Sequence, residues 1–251
     1  MPPGVQQQDR VFSASEPKGY ENMDANDKTA RMAGLLYLVT VVTGLFSLLY
    51  VPSHIQAHGD ASLTVANIVA FESLFRLAIA AGALGYAAFL ILPLALYKLL
   101  SPVSRDAAVL MVAFAVACVP IYFVALANQL DILSLLDSAI YQNVFTADQW
   151  HARVMLLMDA YDNRVFVSEI FWGLWLLPFG YLVFKSGFLP KTLGVLLMLG
   201  CFSYLIDYFG RILFPNYALP GFVMLPASLG EIGICLWLTI LGARKPKHAA
   251  G

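Results

Sequence analysis

The chain has 251 residues, of which 60% are hydrophobic and 12% are charged, with a net charge of −1 and a mean hydropathy of +0.73. An ordinary soluble domain is about 45–50% apolar and about 25% charged, so this chain carries more apolar side chains than one core can bury. The composition excludes a cytosolic enzyme and a disordered regulator. Because there is no basic surplus, it also excludes a nucleic-acid-binding protein. An integral membrane protein remains, and its first partner is the lipid bilayer.

In chain order, the first element is a polar tail, residues 1–27, which is predicted to be disordered and cytoplasmic because it shows no apolar period. Six apolar stretches follow within residues 28–243, each reaching roughly the 18–20 residues that a spanning helix needs. Residues 244–251 form a basic cytoplasmic tail. The predicted fold class is all-α, a polytopic bundle of six transmembrane helices at about 33–51, 71–100, 107–136, 165–184, 189–210 and 222–241.

One further helix is predicted between the third and fourth spans. Thr146 followed by Gln149 has the spacing of a capping box, and the apolar residues after it indicate an interfacial helix over about 146–164. The connections around residues 52–69 and 137–150 are predicted to be outer loops.

The basic residues predict the orientation of the bundle. With the N-terminus in the cytoplasm, the inner side holds eleven of the fifteen Lys and Arg residues, including every lysine. The outer loops around 52–69 and 137–150 hold none. By the positive-inside rule, both termini are therefore cytoplasmic, an N-in/C-in arrangement.

The few charges inside the spans gather in one layer. Counting about 1.5 Å of rise per residue from the cytoplasmic basic residues, Glu169 and Asp207 lie about 24 Å up and Glu231 about 20 Å up, within a hydrocarbon core about 30 Å thick. A charge that faces lipid costs about 2.5–3.5 kcal/mol on insertion scales, so such side chains usually turn inward and pair.

These charges predict a polar pocket that opens to the outer side of the bundle. Glu72 with Arg76, and Asp207 with Arg211, are spaced i,i+4, so each pair shares a helix face. The deepest acids are predicted to form the floor, with arginines in a ring above them. The predicted ligand- or ion-binding residues are Glu72, Arg76, Asp131, Asp162, Arg164, Glu169, Asp207, Arg211 and Glu231.

Three functions fit such a pocket. The first is binding or movement of a small-molecule, lipid or ion ligand, coupled to protonation of Glu231, which has no partner on its own helix. The second is an intramembrane enzyme that acts on a lipid-like substrate at the outer leaflet with paired carboxylates as acid and base, although the chain carries no recognised catalytic motif. The third is a structural or accessory subunit whose ion pairs only fix the packing of its helices.

A metal site and a cofactor cage are weaker hypotheses. His54 and His58 are spaced i,i+4 with Asp60 nearby, which suits a metal ion, but histidines in an exposed loop are more often solvated. No metal and no cofactor is therefore predicted. The aromatic residues, Tyr37 and Trp175 among them, are predicted to form an interfacial belt.

Four stretches carry a resemblance to a known family: KTARMAGLLYLVTVVTG (28–44), ESLFRLAIA (72–80), GYLVFKSGFLPKTLGVLLMLGCFSYLIDYF (180–209) and GEIGICLWL (230–238). In this order they resemble domain-of-unknown-function family 4386, a group of uncharacterised bacterial integral membrane proteins, over nearly everything after the tail. The resemblance implies a multi-pass protein of the bacterial cytoplasmic (inner) membrane. It does not indicate a particular activity, because the family is uncharacterised.

Overall fold

The computed structural model describes residues 18–57, 59–214 and 216–243, and the regular elements within these ranges are all helices. The first helix, α1 (Lys18–Gly44), continues through a π-helical segment, Leu45–Tyr50, into α2 (Val51–Ile55). The others are α3 (Ala61–Ala70), α4 (Glu72–Leu100), α5 (Arg105–Asp137), α6 (Ala139–Val144), α7 (Ala147–Lys185), α8 (Lys191–Leu213) and, after a 3-10 turn at Gly221–Met224, α9 (Leu225–Ile240).

Six helical stretches in the described part of the chain are long and apolar enough to cross a membrane, which confirms the predicted all-α bundle of six spans. The first span is Asn26–Ile55, the sixth is Gly221–Ile240, and the four between them are α4, α5, α7 and α8. At about 1.5 Å of rise per residue, the 39 residues of α7 make it longer than the roughly 30 Å hydrocarbon core, so this helix extends beyond the core.

The six spans form a closed ring in chain order. Each span packs against the spans before and after it in the sequence, and α9 returns to α1. Short connections favour this order because they keep consecutive helices adjacent. The turn between α7 and α8 contains Gly187 at a φ of 73°, which glycine adopts without a steric penalty. The inner faces of the six spans therefore surround one central axis.

The first and sixth spans touch closely at one end of the bundle, where α1 begins and α9 ends; we call it the terminal end. A Cβ atom built on Gly34 would overlap the backbone of Leu238 and Thr239. Arg31 donates a hydrogen bond to the carbonyl of Ile240 at 3.1 Å. At the opposite end, called the α3 end, the π-helical segment packs against α4, and this segment and the start of α9 face a common cavity.

The predicted interfacial helix and the fourth span are one continuous helix, α7. The backbone N–H of Gln149 donates to Thr146 Oγ1 at 3.3 Å, and the N–H of Thr146 donates to the Gln149 side chain at 3.1 Å, so the predicted capping box is confirmed. The polar residues after Met158 interrupt the apolar run without interrupting the helix. Arg164, for example, donates to the Ala160 carbonyl of its own helix at 2.9 Å.

A helix also occupies part of the connection between the first two spans, where the sequence predicts a loop. Asp60 accepts a hydrogen bond from the N–H of Leu63 at 2.9 Å and so caps α3. Three side chains of this helix are buried: Thr64, Val65 and Ile68. Ten residues are too few to cross a bilayer, so hydropathy alone does not separate such a helix from a loop.

The predicted tails, residues 1–27 and 244–251, lie largely outside the described residues. Where the description begins, at Lys18, the chain is already helical. Polar residues can extend a helix out of the membrane, and the i,i+4 ion pair between Asp27 and Arg31, at 2.8 Å, supports the helix at this point.

Candidate functional site

A cavity of about 840 Å³ lies inside the ring and reaches the α3 end. Its volume falls in the range of about 300–1,000 Å³ that is typical of small-molecule sites. Side chains of the first, second, fourth, fifth and sixth spans line it. Most of these side chains are aromatic or aliphatic, and the charged ones are Asp162, Glu169, Arg211 and Glu231.

Glu231 lies in the cavity wall on α9 and is held by two tyrosines. Tyr37 of α1 and Tyr204 of α8 donate to its two carboxylate oxygens at 3.2 and 3.1 Å. The packing of α9 on α8 sets this position, because a Cβ atom on Gly230 would lie 3.0 Å from the backbone nitrogen of Leu197. Within the described residues, no lysine or arginine forms an ion pair with Glu231.

A second acidic cluster shares one arginine. Arg211 donates to Glu169 of α7 at 2.8 Å and also to Asp207, one turn earlier on α8. The side chains of the two acids are 16% and 11% exposed, whereas that of Arg211 is 44% exposed. The guanidinium carbon lies 4.6 Å from the centre of the Phe166 ring, a cation–π contact. With all three groups ionised, the cluster carries a net charge of −1.

Aromatic rings line the inner part of the cavity. Trp175 packs against Tyr37 and Phe89, with ring centres 5.9 and 5.3 Å apart. Trp172 meets Tyr204 edge-on at 6.3 Å. The predicted interfacial belt is therefore wrong for Tyr37 and Trp175, which are buried inside the protein.

Five of the predicted binding residues come together at this cavity. Asp162, Glu169, Arg211 and Glu231 line it, and Asp207 is joined to it through its ion pair with Arg211.

The other four predicted residues, Glu72, Arg76, Asp131 and Arg164, are not among those that line the cavity. Arg76 pairs with Glu72 at 2.6 Å and with a carboxylate of α5 at 2.8 Å on an exposed surface. Arg164 donates to the side-chain oxygen of Asn128 at 3.1 Å, between α7 and α5. Asp131 is exposed on α5. Glu72, Arg76 and Asp131 therefore lie at exposed surfaces, and Arg164 lies between two spans outside the cavity lining.

Two of the three residues suggested for a metal site, His54 and Asp60, make other contacts. The carboxylate of Asp60 caps α3, and Nδ1 of His54 lies 2.8 Å from the carbonyl oxygen of Tyr50. His58 lies outside the described residues. In the part of the chain that the structure describes, no three His, Cys, Asp or Glu side chains are grouped as metal ligands.

Asp60 gives a prediction on pH dependence. Hydrogen bonds from the Leu63 N–H and the Ser62 hydroxyl lower the pKa of its carboxyl group below the usual value. The cap therefore stabilises α3 fully above the pKa of the unfolded chain, and this contribution is lost as the pH falls through the lower folded-state pKa. We expect Asp60→Ala to increase amide hydrogen exchange over residues 61–70 at neutral pH. Asp60→Asn, which keeps an acceptor, is the control; equal protection in the alanine variant contradicts the prediction.

The aromatic half of the site is not among the predicted residues, although the sequence contains a signal for it. Asp162, Val165, Phe166, Glu169 and Trp172 all line the cavity. Their spacing of three and four residues is that of one helix face. A face that combines two acids with aromatic rings at this spacing indicates a pocket rather than a lipid contact, because charges avoid lipid.

The ring of spans and its cavity define a multi-pass helical bundle of the kind found in integral membrane proteins. Residues 32–242 match the family model described as a domain of unknown function (DUF4386), so the chain belongs to that family and the predicted resemblance is confirmed. A similar protein is an uncharacterised protein of Archaeoglobus fulgidus, 30% identical over 150 residues, a match that covers 60% of this chain and 74% of the relative. No solved structure matches.

Proposed function

We propose that this protein binds a small amphipathic ligand in the central cavity and moves it between the cavity and the membrane. One observation carries the proposal: a cavity of about 840 Å³ that combines a largely apolar and aromatic lining with a few convergent charged groups. Sites for small molecules have this composition, because apolar walls supply the binding free energy and a few polar groups set the orientation.

Exposed side chains that line the cavity on the first and sixth spans support access from the membrane. Leu45 and Leu49 of the π-helical segment line the cavity on one side, and Met224 and Ile232 line it on the other. Three of the four are exposed on the surface of the protein: Leu45, Leu49 and Ile232. An apolar ligand group can therefore enter between the spans without leaving an apolar environment.

The cavity opens to the outer side of a bacterial cytoplasmic membrane, with both termini in the cytoplasm. The positive-inside rule supports this orientation, because the lysines of the described residues lie in the first part of α1, in the last turns of α4 and α7 and at the start of α8, all toward the terminal end. Movement of the ligand is coupled to protonation of Glu231. A carboxyl group at membrane depth without a basic partner is stabilised either by a proton or by a cationic ligand, and the groups that contact it, Tyr37 and Tyr204, are donors without charge.

A cavity-filling substitution tests the proposal. Ser228 lines the cavity, whereas its neighbour Leu229 is exposed on α9 and does not line it. Purified protein is titrated by calorimetry with three probes of similar shape: tetraphenylphosphonium, tetraphenylborate and neutral triphenylmethanol. We expect saturable binding of at least one probe, which Ser228→Trp abolishes because the indole occupies the cavity.

The matched control is Leu229→Trp, which adds the same indole outside the cavity and should bind as the wild type does. Size-exclusion chromatography checks that both variants are folded. The proposal is wrong when no probe binds saturably, or when both tryptophan variants bind as tightly as the wild type.

A further inference from the structure

The charged groups of the cavity favour a positively charged occupant. Arg211, the basic side chain in the lining, is already paired with two carboxylates, Glu169 and Asp207. Asp162 and Glu231 add two more acids to the wall. With these groups ionised, the cavity and its adjoining cluster carry more negative than positive charge, so an anion entering it would be repelled.

Glu231 is the acid best placed to receive a cation. The hydrogen bonds from Tyr37 and Tyr204 orient its carboxylate but supply no charge. The same bonds place the carboxylate at the hydroxyl ends of these two tyrosines, which themselves line the cavity. A cation beside Glu231 supplies the missing opposite charge in a medium of low dielectric constant, where that interaction is strong.

The walls around Glu231 suit an organic cation better than a small metal ion. Tyr204 and Trp172, which are only partly buried, line the cavity together with Glu231. The faces of such rings attract ammonium and phosphonium groups, most strongly when the site is desolvated. A small divalent ion instead requires a shell of six or so oxygen ligands, whereas these walls consist mainly of carbon. The exposed apolar side chains that line the cavity on the first and sixth spans can accommodate the lipophilic substituents of an organic cation.

We propose that the cavity binds lipophilic organic cations, amines or quaternary onium compounds, with the positive centre between Glu231 and the aromatic rings. This inference rests on the proposed ligand-binding function and adds the chemical class of the ligand. It requires no covalent step.

The charge selectivity of the wild-type protein is the direct test. Tetraphenylphosphonium and tetraphenylborate have nearly the same size and shape and opposite charge, so their affinities differ mainly through electrostatics. We expect calorimetry to show that the cation binds at least about tenfold more tightly than the anion. This measurement needs no variant and therefore does not depend on whether a substituted protein folds.

Glu231→Gln then locates the positive centre. Glutamine keeps an oxygen acceptor for a tyrosine hydroxyl, and we expect the substitution to weaken tetraphenylphosphonium binding about tenfold or more while leaving triphenylmethanol binding unchanged. Glu72→Gln is the matched control, because Glu72 pairs with Arg76 outside the cavity; it should bind the cation as the wild type does.

The outcomes separate the two proposals. If the anion or the neutral probe binds as tightly as the cation, or if Glu231→Gln binds the cation unchanged, the assignment to organic cations is wrong, while sensitivity to Ser228→Trp still upholds a ligand site. If no probe binds saturably, the ligand site itself is wrong and the assignment falls with it.

Discussion

Replacing Arg211 by methionine is expected to destabilise the protein by about 3 kcal/mol, since it leaves Glu169 and Asp207 without their shared positive charge. Methionine keeps much of the length of the side chain over the Phe166 ring, so the loss reports mainly on charge. For a chain of this size, the expected fall in Tm is about 6–12 °C. Thermal unfolding can be followed by a thiol-reactive dye, because Cys118, Cys201 and Cys235 are all free and buried.

The chain contains a matched control for this substitution. Arg76 also pairs with the acid four residues before it and with an acid of a neighbouring helix, Glu72 and Asp137, but all three side chains are well exposed. Arg76→Met should therefore unfold close to the wild-type Tm, because exposed ion pairs contribute little to stability. A triple variant, Glu169→Gln with Asp207→Asn and Arg211→Met, should recover most of the lost stability, because no unpaired charge remains. Equal losses for the two single arginine variants contradict the prediction.

Gly180→Leu is expected to prevent accumulation of folded protein. A Cβ atom on Gly180 of α7 would lie 2.6 Å from the carbonyl oxygen of Gly194 and 2.8 Å from the backbone nitrogen of Met198, both on α8. Backbone atoms of a helix cannot move aside as a side chain can, so the two spans must separate. Overpacking typically costs about 1–3 kcal/mol even where side chains can adjust, and small residues at such contacts allow membrane helices to approach closely. The measurement is the yield of monodisperse protein in detergent.

Gly44→Leu provides the comparison for this effect. Gly44 ends α1, and nothing lies within 4 Å of a Cβ atom built on it. We expect this variant to be recovered in normal yield and to unfold close to the wild-type Tm. A normal yield of Gly180→Leu contradicts the close packing of the fourth and fifth spans.

The spans were predictable because hydropathy and length are local properties. Stretches of about 20 apolar residues can satisfy their backbone in lipid only as helices, so the number of spans follows directly from the sequence. The extent of α7 and the presence of α3 were not predictable in the same way. Arg164 interrupts the apolar run of α7 but donates to a carbonyl of the same helix, and α3 is too short for its hydropathy to be diagnostic.

The same distinction between local and tertiary information applies to the candidate site. The height of a residue in the bundle follows from counting residues along a helix. Counting predicts that Glu169, Asp207 and Glu231 lie at similar heights. Counting does not give the direction in which each helix face points. Arg76 and Arg211 each have an acid four residues before them and lie near the end of a span. Arg211 nevertheless lines the cavity, whereas Arg76 lies on an exposed surface.

The six spans and the capping box at Thr146 thus follow from the amino-acid sequence alone. The packing of the helices shows which side chains meet: Glu231 with Tyr37 and Tyr204, and Arg211 with Glu169. These contacts do not follow from the sequence because hydrophobicity and helical rise act along one chain segment. The rotation of each helix about its axis is instead set by contacts with its neighbours, such as those at Gly34, Gly180 and Gly230.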